Sequence, residues 1–198
     1  MSDPEAKIEQ TRSGGDLGIL LADYRNYLHL LARLEIGRRL QGKVDASDLV
    51  QETFLEAHRN FERFRGSSEA QFAAWLRQIL ATRVANLVRH FVGTKGRDIR
   101  LEQQLAAEMD DSSRMLGPEL AAAMSSPSQQ AVRREQGVLL AEALARLPEQ
   151  YRETIILRHL EELSFPEIAE KMGRSVDAVQ KLWLRGLSRL RQEFRETP

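Results

Sequence analysis

The sequence predicts an all-α protein with two small helical domains joined by a flexible linker. Residues that favour helices, namely Ala, Leu, Glu, Gln and Arg, dominate its 198 positions, whereas strand formers are sparse. Apolar residues recur at the spacing of one helix face, and segments rich in Gly, Ser and Pro interrupt these stripes. The C-terminal part holds two short helical segments around a glycine, which indicates a helix-turn-helix.

The same patterns divide the chain into four parts. Residues 1–16 are polar and lack a helical stripe, so we expect a disordered tail there. Residues 17–100 form the first domain. Residues 101–134 combine weak helical patches with Ser, Pro and Gly and are predicted to be an acidic linker. Residues 135–198 form the second domain, which contains the helix-turn-helix.

The first domain begins with one predicted helix over residues 17–40, which the segment QGKVD ends. Asp45 is the expected N-cap of a second helix that runs to about Phe64. After the interruption RGSS, Ser68 caps a third helix, whose apolar stripe continues to Phe91. The segment GTKGRD marks its end.

The second domain ends in the predicted helix-turn-helix. Ser164 and Glu167 suit a capping box, Gly173 suits the turn, and Ser175 caps the second helix. Side chains expected to hold the pair together are Ile168, Ala169, Met172, Val176, Val179 and Leu182. Side chains expected to face outward are Asp177, Ala178, Gln180, Lys181, Leu184 and Arg185. Gln, Lys and Arg can bind base edges in a major groove, but an ordinary solvated hairpin would show the same pattern.

Charge is balanced over the whole chain, with 29 basic and 29 acidic residues, but not along it. Residues 79–100 hold five Arg or Lys against one Asp, and residues 173–195 hold six against two acids. Residues 101–119 between them hold five acids and one Arg. The zero net charge by itself predicts no nucleic-acid partner, but the distribution is more informative, since two basic segments are separated by an acidic one.

Several function classes lack support in the sequence. Cysteine is absent, no apolar run approaches the roughly 20 residues of a membrane helix, and no signal peptide is evident. The four histidines are scattered, and neither a phosphate loop nor a nucleophile elbow occurs. Glu161 and Glu162 beside His159 could form a carboxylate–histidine site, although a surface turn explains them better. We therefore expect a cytoplasmic protein that is not an enzyme and has no cofactor, metal or membrane partner.

The third helix of the first domain interleaves aromatic and basic side chains, in FRGSSEAQFAAWLRQILATRVANLVRHF. Such interleaving suits unstacked bases. Because Phe72 and Trp75 lie at helical spacing, core packing is their expected primary role. The arginines and Asn86 are better candidates for nucleotide contact.

Together these segments resemble a known family. DASDLVQETFLEAHRNFERFRG…FAAWLRQI resembles the domain of bacterial sigma factors that binds core polymerase and melts promoters. ALARLPEQYRETIILRHLEELSFPEIAEKMGRSVDAVQKLWLRGLSRLR resembles their promoter-binding C-terminal domain. The order of the two and the short chain resemble the extracytoplasmic-function (ECF) group, and LVRHF…GRDIRLEQQL resembles its planctomycete-like members.

The resemblance implies three sets of contact residues and their partners. The coiled-coil of the largest polymerase subunit would bind Asp48, Gln51, Glu52 and Glu56, and the polymerase flap is a further implied partner. The promoter minus-ten element, with a base flipped from the non-template strand, would contact Arg65, Ser67, Arg77, Thr82, Arg83, Asn86 and Arg89. The duplex minus-thirty-five element would contact Arg174, Ser175, Asp177, Ala178, Gln180, Lys181, Leu184, Arg185 and Arg189. The acidic linker would thread toward the polymerase active-site channel, and an anti-sigma factor is a further expected partner.

The sequence departs from the family pattern at two positions of the melting helix. Thr82 stands where Asn is common, and Asn86 stands where Asp is common. The alternative interpretation is a stand-alone helix-turn-helix regulator whose first domain senses a signal or dimerises. Such a regulator would bind palindromic duplex DNA without polymerase.

Overall fold

A computed structural model describes residues 4–40, 44–92, 99–115 and 136–196. Within these ranges the chain forms ten α-helices, one 3₁₀ turn and no strand, which confirms the predicted all-α class. The chain divides into two compact units, Met1–Arg114 and Met115–Pro198. The predicted breaks at QGKVD and GTKGRD fall partly or wholly outside the described residues, as does the linker beyond residue 115.

The first unit contains six α-helices. They are α1 (Pro4–Arg12), α2 (Leu17–Ala22), α3 (Arg25–Leu40), α4 (Ala46–Asn60), α5 (Glu69–Val92) and α6 (Ile99–Met115), with a 3₁₀ turn at Phe61–Arg63. Helices α3, α4 and α5 pack against one another, and their buried core includes Tyr24, Tyr27, Leu28, Leu31, Leu49, Phe72, Leu76 and Leu80. The single helix predicted over residues 17–40 is divided into α2 and α3.

Local side-chain caps begin two of these helices where the sequence predicts them. The Asp45 Oδ1 atom accepts a hydrogen bond from the Ser47 amide at 2.8 Å, and this bond lowers the pKa of the Asp45 carboxyl. The Ser68 Oγ atom accepts one from the Gln71 amide at 3.3 Å. Both caps satisfy amides that would have no partner inside the helix.

The predicted disordered tail is wrong for residues 4–12, because they form α1. Ile8 is buried at 1% exposure, and the Lys7 ammonium pairs with Asp23 at 2.5 Å. A single apolar side chain produces no stripe in the sequence, so this helix could not be found from periodicity. Its docking onto the rest of the unit stabilises a segment whose composition favours disorder.

The predicted linker also begins too early, because residues 99–115 form α6 of the first unit. Leu105 and Met109 of α6 have 0% exposure. Its acids are used inside the unit: Glu102 lies 3.4 Å from Arg89, and Asp110 lies 2.6 Å from Arg77. The acidic character of residues 101–115 therefore reflects intramolecular pairing and not only a solvated linker.

The second unit contains four α-helices, α7 (Gln136–Arg146), α8 (Glu149–His159), α9 (Phe165–Met172) and α10 (Val176–Glu196). Helices α9 and α10 form the predicted helix-turn-helix. Ser164 and Glu167 make the predicted capping box, and hydrogen bonds from Ser164 lower the pKa of the Glu167 carboxyl. Gly173 ends α9 with φ 62° and ψ 38°, the left-handed conformation that glycine adopts most easily.

A small apolar cluster holds the helix pair on α8. Leu157, Ile168 and Val179 have 0% exposure, and Phe165 and Met172 pack at the edge of this cluster. Val176 is an exception among the predicted contacts, because it is 39% exposed. Since α9 and α10 share a core with α8, the outer face of α10 is held at a defined orientation within the unit.

Gly186 allows α10 to approach α8 closely. A Cβ atom at this position would lie 3.1 Å from the Ile155 Cδ1 atom and 3.2 Å from the Tyr151 Cβ atom. Such distances are shorter than ordinary van der Waals contact, so a larger side chain would require Ile155 and Tyr151 to shift by a few tenths of an ångström. Nothing in the sequence distinguishes Gly186 from a surface glycine, since the contact joins residues far apart in the chain.

Candidate nucleic-acid interface

The loop between α4 and α5, residues Phe64–Ser68, lies on an aromatic cluster. The Phe64 ring stacks on the Trp75 ring with centroids 5.0 Å apart, and it meets the Phe72 ring edge-on at 5.4 Å. Phe72 is fully buried and Phe64 is 7% exposed, whereas Trp75 is partly exposed. The cluster is therefore mainly a core that supports the loop, with one edge of Trp75 open to solvent.

The predicted minus-ten residues of this loop face solvent. Arg65 is exposed, and its guanidinium donates to the Glu62 carbonyl oxygen at 2.6 Å. Ser67 is exposed, and its amide donates to the Gln71 Oε1 atom at 2.8 Å. Both side chains can reach a ligand that lies on the loop.

Further along α5, three predicted residues lie on or near the surface. Asn86 is exposed and bonded to Arg89, and the half-buried Thr82 donates to the Gln78 carbonyl oxygen at 3.0 Å. Arg83 pairs with Glu56 at 2.6 Å, which joins α5 to α4. A pocket of about 350 Å³ opens here, and its lining consists of Glu56, Asn60, Arg63, Trp75, Gln78, Ile79, Thr82 and Arg83.

Arg77 and Arg89 are placed differently, because α6 covers them. Arg77 is 16% exposed, and its guanidinium donates to the Tyr27 hydroxyl at 2.9 Å and to Asp110 at 2.6 Å. Burial opposes the charge of Arg77, but Tyr27 and Asp110 more than offset it and raise the pKa of the guanidinium. Arg89 is 12% exposed and pairs with Glu102. Through these contacts, Arg77 and Arg89 hold α6 on the rest of the first unit.

The predicted polymerase-binding residues share one face of α4. Asp48, Gln51 and Glu52 are exposed at the spacing of a helix face, while Glu56 is partly buried in its pair with Arg83. Leu55 on the same face is 58% exposed. Leu55 is not among the residues predicted from the sequence. It could have been found as an apolar residue within an otherwise polar helix face.

The predicted minus-thirty-five residues lie on the outer face of α10 and in the turn before it. Ala178 is half-buried. The exposed members of the set are Arg174, Ser175, Asp177, Gln180, Lys181, Leu184, Arg185 and Arg189. The Ser175 Oγ atom accepts from the Ala178 amide at 3.2 Å, as predicted for a cap. Lys181 pairs with Asp177 at 2.7 Å, and Leu184 is 58% exposed.

A groove of about 680 Å³ adjoins this face. It is lined by Arg146, Leu147, Pro148, Tyr151, Arg185, Ser188, Arg189 and Gln192. Arg146 lies at the end of α7 and is not among the DNA-contacting residues predicted from the sequence. The three arginines make the groove a basic extension of the α10 face, which suits phosphate contact.

Two residues of the histidine site considered from the sequence have partners elsewhere in the second unit. The His159 Nε2 atom accepts a hydrogen bond from the Trp183 indole at 3.0 Å, and Glu161 pairs with Lys171 at 2.9 Å. Across the described ranges no group of three His, Cys, Asp or Glu could hold a metal ion. No helix in the part of the chain that the structure describes is long and apolar enough to span a bilayer.

Comparisons with known proteins match both units. The family model for Sigma-70 region 2 matches residues 23–91, and that for Sigma-70, region 4 matches residues 138–190. The ECF RNA polymerase sigma-E factor of Salmonella typhimurium is 30% identical over 178 residues, which cover 87% of this chain and 84% of that protein. The chain belongs to the ECF sigma factors.

Another relative supports the same family. The ECF RNA polymerase sigma-E factor of Haemophilus influenzae is 29% identical over 178 residues, 89% of this chain and 87% of that protein. A solved structure of the RsbN-BldN complex shares 24% identity, covers 93% of this chain and 97% of its own, and has a TM-score of 0.31. At that score the likeness supports no conclusion about this sigma factor.

Membership confirms the central prediction from the sequence. This sigma factor binds core RNA polymerase and directs promoter recognition and DNA melting in transcription initiation. Helices α1 and α6 lie outside the residues matched to region 2. The contacts they make in this chain are therefore additions to the matched segment.

Arg77→Ala should lower the free energy of unfolding of the first unit by about 2 kcal/mol. The change removes two hydrogen bonds from a mostly buried guanidinium and takes the cationic partner from Asp110. Urea denaturation measures it. Arg65→Ala is the control and should change stability by less than about 0.5 kcal/mol, because Arg65 is exposed. Equal stability of the two variants would contradict the fastening role of Arg77.

Proposed function

We propose that this sigma factor holds promoter DNA at two points, with the second unit on the upstream duplex and the first on the opened minus-ten strand. The supporting observation is the outer face of α10. Gln180, Lys181 and Arg185 are exposed on a helix whose opposite side is held in the core with α8 and α9. A rigidly supported helix with such side chains suits a major groove.

In the first unit, the loop Phe64–Ser68 and the exposed part of α5 would bind the separated strand. Arg65, Ser67 and Asn86 are the accessible members of the predicted set, and Thr82 lines the pocket beside Trp75. An aromatic edge next to polar groups suits a base that has left its stack. Arg77 and Arg89 act through α6 and are not part of this proposed contact.

The exposed face of α4 is the proposed docking site for the coiled-coil of the largest polymerase subunit. Asp48, Gln51 and Glu52 share this face with the exposed Leu55, so the face combines polar side chains with an apolar one, as many protein interfaces do. The flap is the proposed partner of the second unit. An anti-sigma factor that covers these faces and a cytoplasmic location remain predictions from the family.

Promoter opening by this chain would need no bond to be made or broken. Separating DNA costs about 1.4 kcal/mol per base-pair step in lost stacking. Contacts that exist only with the open strand offset that cost and shift the equilibrium toward the open state. The two-point arrangement assigns duplex recognition and strand capture to separate units, so variants should separate the two steps.

Gln180→Ala and Arg185→Ala should each weaken upstream recognition by about 1–3 kcal/mol, the usual worth of a contact to a base edge. Fluorescence anisotropy of the holoenzyme on a duplex upstream fragment, at one salt concentration, measures the loss. Lys171→Ala is the charge-matched control, because Lys171 lies on α9 and pairs with Glu161. A loss in Lys171→Ala equal to that in Arg185→Ala would mean that Arg185→Ala had removed only general electrostatic attraction.

Run-off transcription with purified core polymerase on a library of genomic fragments tests the proposal directly. We expect transcripts that core polymerase alone does not make, and permanganate-reactive thymines near minus ten. A stand-alone regulator would instead shift duplex DNA without polymerase and yield no new transcript. That second outcome would overturn the proposed function.

A further inference from the structure

The N-terminal helix α1 reaches the proposed strand-capturing loop through one side chain. The Arg12 Nη2 atom donates to the Gly66 carbonyl oxygen at 2.5 Å and to the Phe64 carbonyl oxygen at 3.2 Å. The Arg12 guanidinium carbon also lies 5.6 Å from the centroid of the Phe64 ring. One guanidinium therefore binds two backbone groups and one ring of the same loop.

Helix α1 is itself held in place, so Arg12 extends from a fixed support. Ile8, four positions before Arg12, is 1% exposed. The Gly15 amide donates to the Gln10 carbonyl oxygen at 2.9 Å, which closes the end of the helix. A charged group on an anchored helix loses less freedom when it binds than one on a mobile tail.

The other end of the loop is held from α5. The Gln71 Oε1 atom accepts hydrogen bonds from the Ser67 amide at 2.8 Å and from the Ser68 amide at 3.3 Å. Gly66 lies so close to the Phe64 ring that a Cβ atom would be 2.5 Å from its Cζ atom. The loop is thus fastened from α1 through its carbonyls and from α5 through its amides.

We propose that Arg12 is a positioning residue for promoter opening, which holds the loop Phe64–Ser68 in the form that captures the separated strand. The inference rests on the proposed function of that loop. Arg12 would act through the backbone and not by touching DNA, because its Nη2 atom already binds the Phe64 and Gly66 carbonyl oxygens and its Nη1 atom pairs with Glu9. A loop that is already ordered in the free protein pays no further entropy cost of ordering when it captures the strand.

Three full-length variants test the inference. Arg12→Ala removes both carbonyl contacts, and Arg12→Lys keeps the charge but lacks the planar guanidinium that lies against the Phe64 ring. Lys7→Ala is the control, since it removes one cation from the same helix and an ion pair that is partly exposed. The readouts are amide hydrogen exchange over residues 64–68 of the free protein and binding of the holoenzyme to DNA.

The DNA probe is a single-stranded oligonucleotide with the non-template minus-ten sequence of a promoter that the wild type transcribes. We expect about tenfold weaker binding for Arg12→Ala, because hydrogen bonds to a charged group are worth enough to produce such a factor. Arg12→Lys should lie between Arg12→Ala and the wild type. Binding of the holoenzyme to a duplex upstream fragment should be unchanged, and amide exchange over residues 64–68 should be faster only in the Arg12 variants.

Two results would overturn the inference, and they are distinguishable. If the wild type transcribes and Arg12→Ala binds the single strand as tightly as Lys7→Ala does, the positioning role is wrong while the proposed function stands. If the wild type yields no transcript with core polymerase, the proposed function fails and the inference fails with it. Thermal unfolding checks each variant, and if Arg12→Ala does not fold, Arg12→Lys decides between positioning and no role.

Discussion

Phe72→Ala should lower the free energy of unfolding of the first unit by about 3–5 kcal/mol, the usual range for truncating a buried phenylalanine. Phe72 has 0% exposure. Its ring lies 5.2 Å from the Tyr24 ring, 5.4 Å from that of Phe64 and 5.7 Å from that of Trp75, measured between centroids. Truncation leaves a cavity among rigid rings that cannot close around it. The loop above the cluster then loses its support, and promoter opening should fall with stability.

The two tryptophans of the chain allow this loss to be measured in one unit at a time. Trp75 lies in the first unit and Trp183 in the second. In a Trp183→Phe background, the fluorescence of Trp75 follows unfolding of the first unit in urea. Leu55→Ala is the control, and because Leu55 is 58% exposed it should change stability by less than about 0.5 kcal/mol. A loss below about 1 kcal/mol for Phe72→Ala would contradict the packing of the aromatic cluster.

Ile168→Ala should lower the free energy of unfolding of the second unit by about 2–5 kcal/mol. Ile168 has 0% exposure and lies with Leu157 and Val179 in the cluster that joins α8, α9 and α10. A small domain has little stability to lose, so the variant should be substantially unfolded at moderate temperature. Binding of the upstream duplex should therefore be lost while the first unit keeps its fold.

Trp183 reports this second transition in a Trp75→Phe background. Its indole donates to His159 and its ring meets the Phe165 ring at 5.5 Å, so its fluorescence depends on the packing of α8 and α9. Glu170→Ala is the matched control, because Glu170 is exposed on the same helix. If Ile168→Ala weakened the first unit as strongly as the second, the division of the chain into two units would be wrong.

Many local features of this sigma factor could be predicted from its sequence. The capping box of Ser164 and Glu167, the left-handed Gly173 and the cap at Asp45 all lie where the residues predict them. Each depends on residues at most a few positions apart. The exposed face of α10 follows from the same helical period, since a helix with one buried stripe must expose the other.

Other features could not be predicted, because their partners are distant in the chain. Helix α1 was missed since its docking depends on one apolar residue, Ile8, and on Arg12, which bonds to Gly66, 54 positions away. The sequence predicts a linker where α6 lies, because the acids of α6 pair with residues that only packing brings close. Asp110 meets Arg77 across 33 positions, and Glu102 meets Arg89 across 13.

The order of residues is enough to predict the all-α class, the helix-turn-helix with its outward side chains, and the family. These depend on residue type, on helical period and on contacts within a turn or two, all of which the order of residues contains. Which arginines stay exposed, by contrast, depends on how the helices pack. Arg65 stays exposed, whereas Arg77 and Arg89 are paired beneath α6 and Arg12 is bonded to the loop. A guanidinium binds whichever acceptor the fold brings near it. Because these acceptors are distant in the chain, the pairing of each arginine cannot be predicted from its neighbours in the sequence.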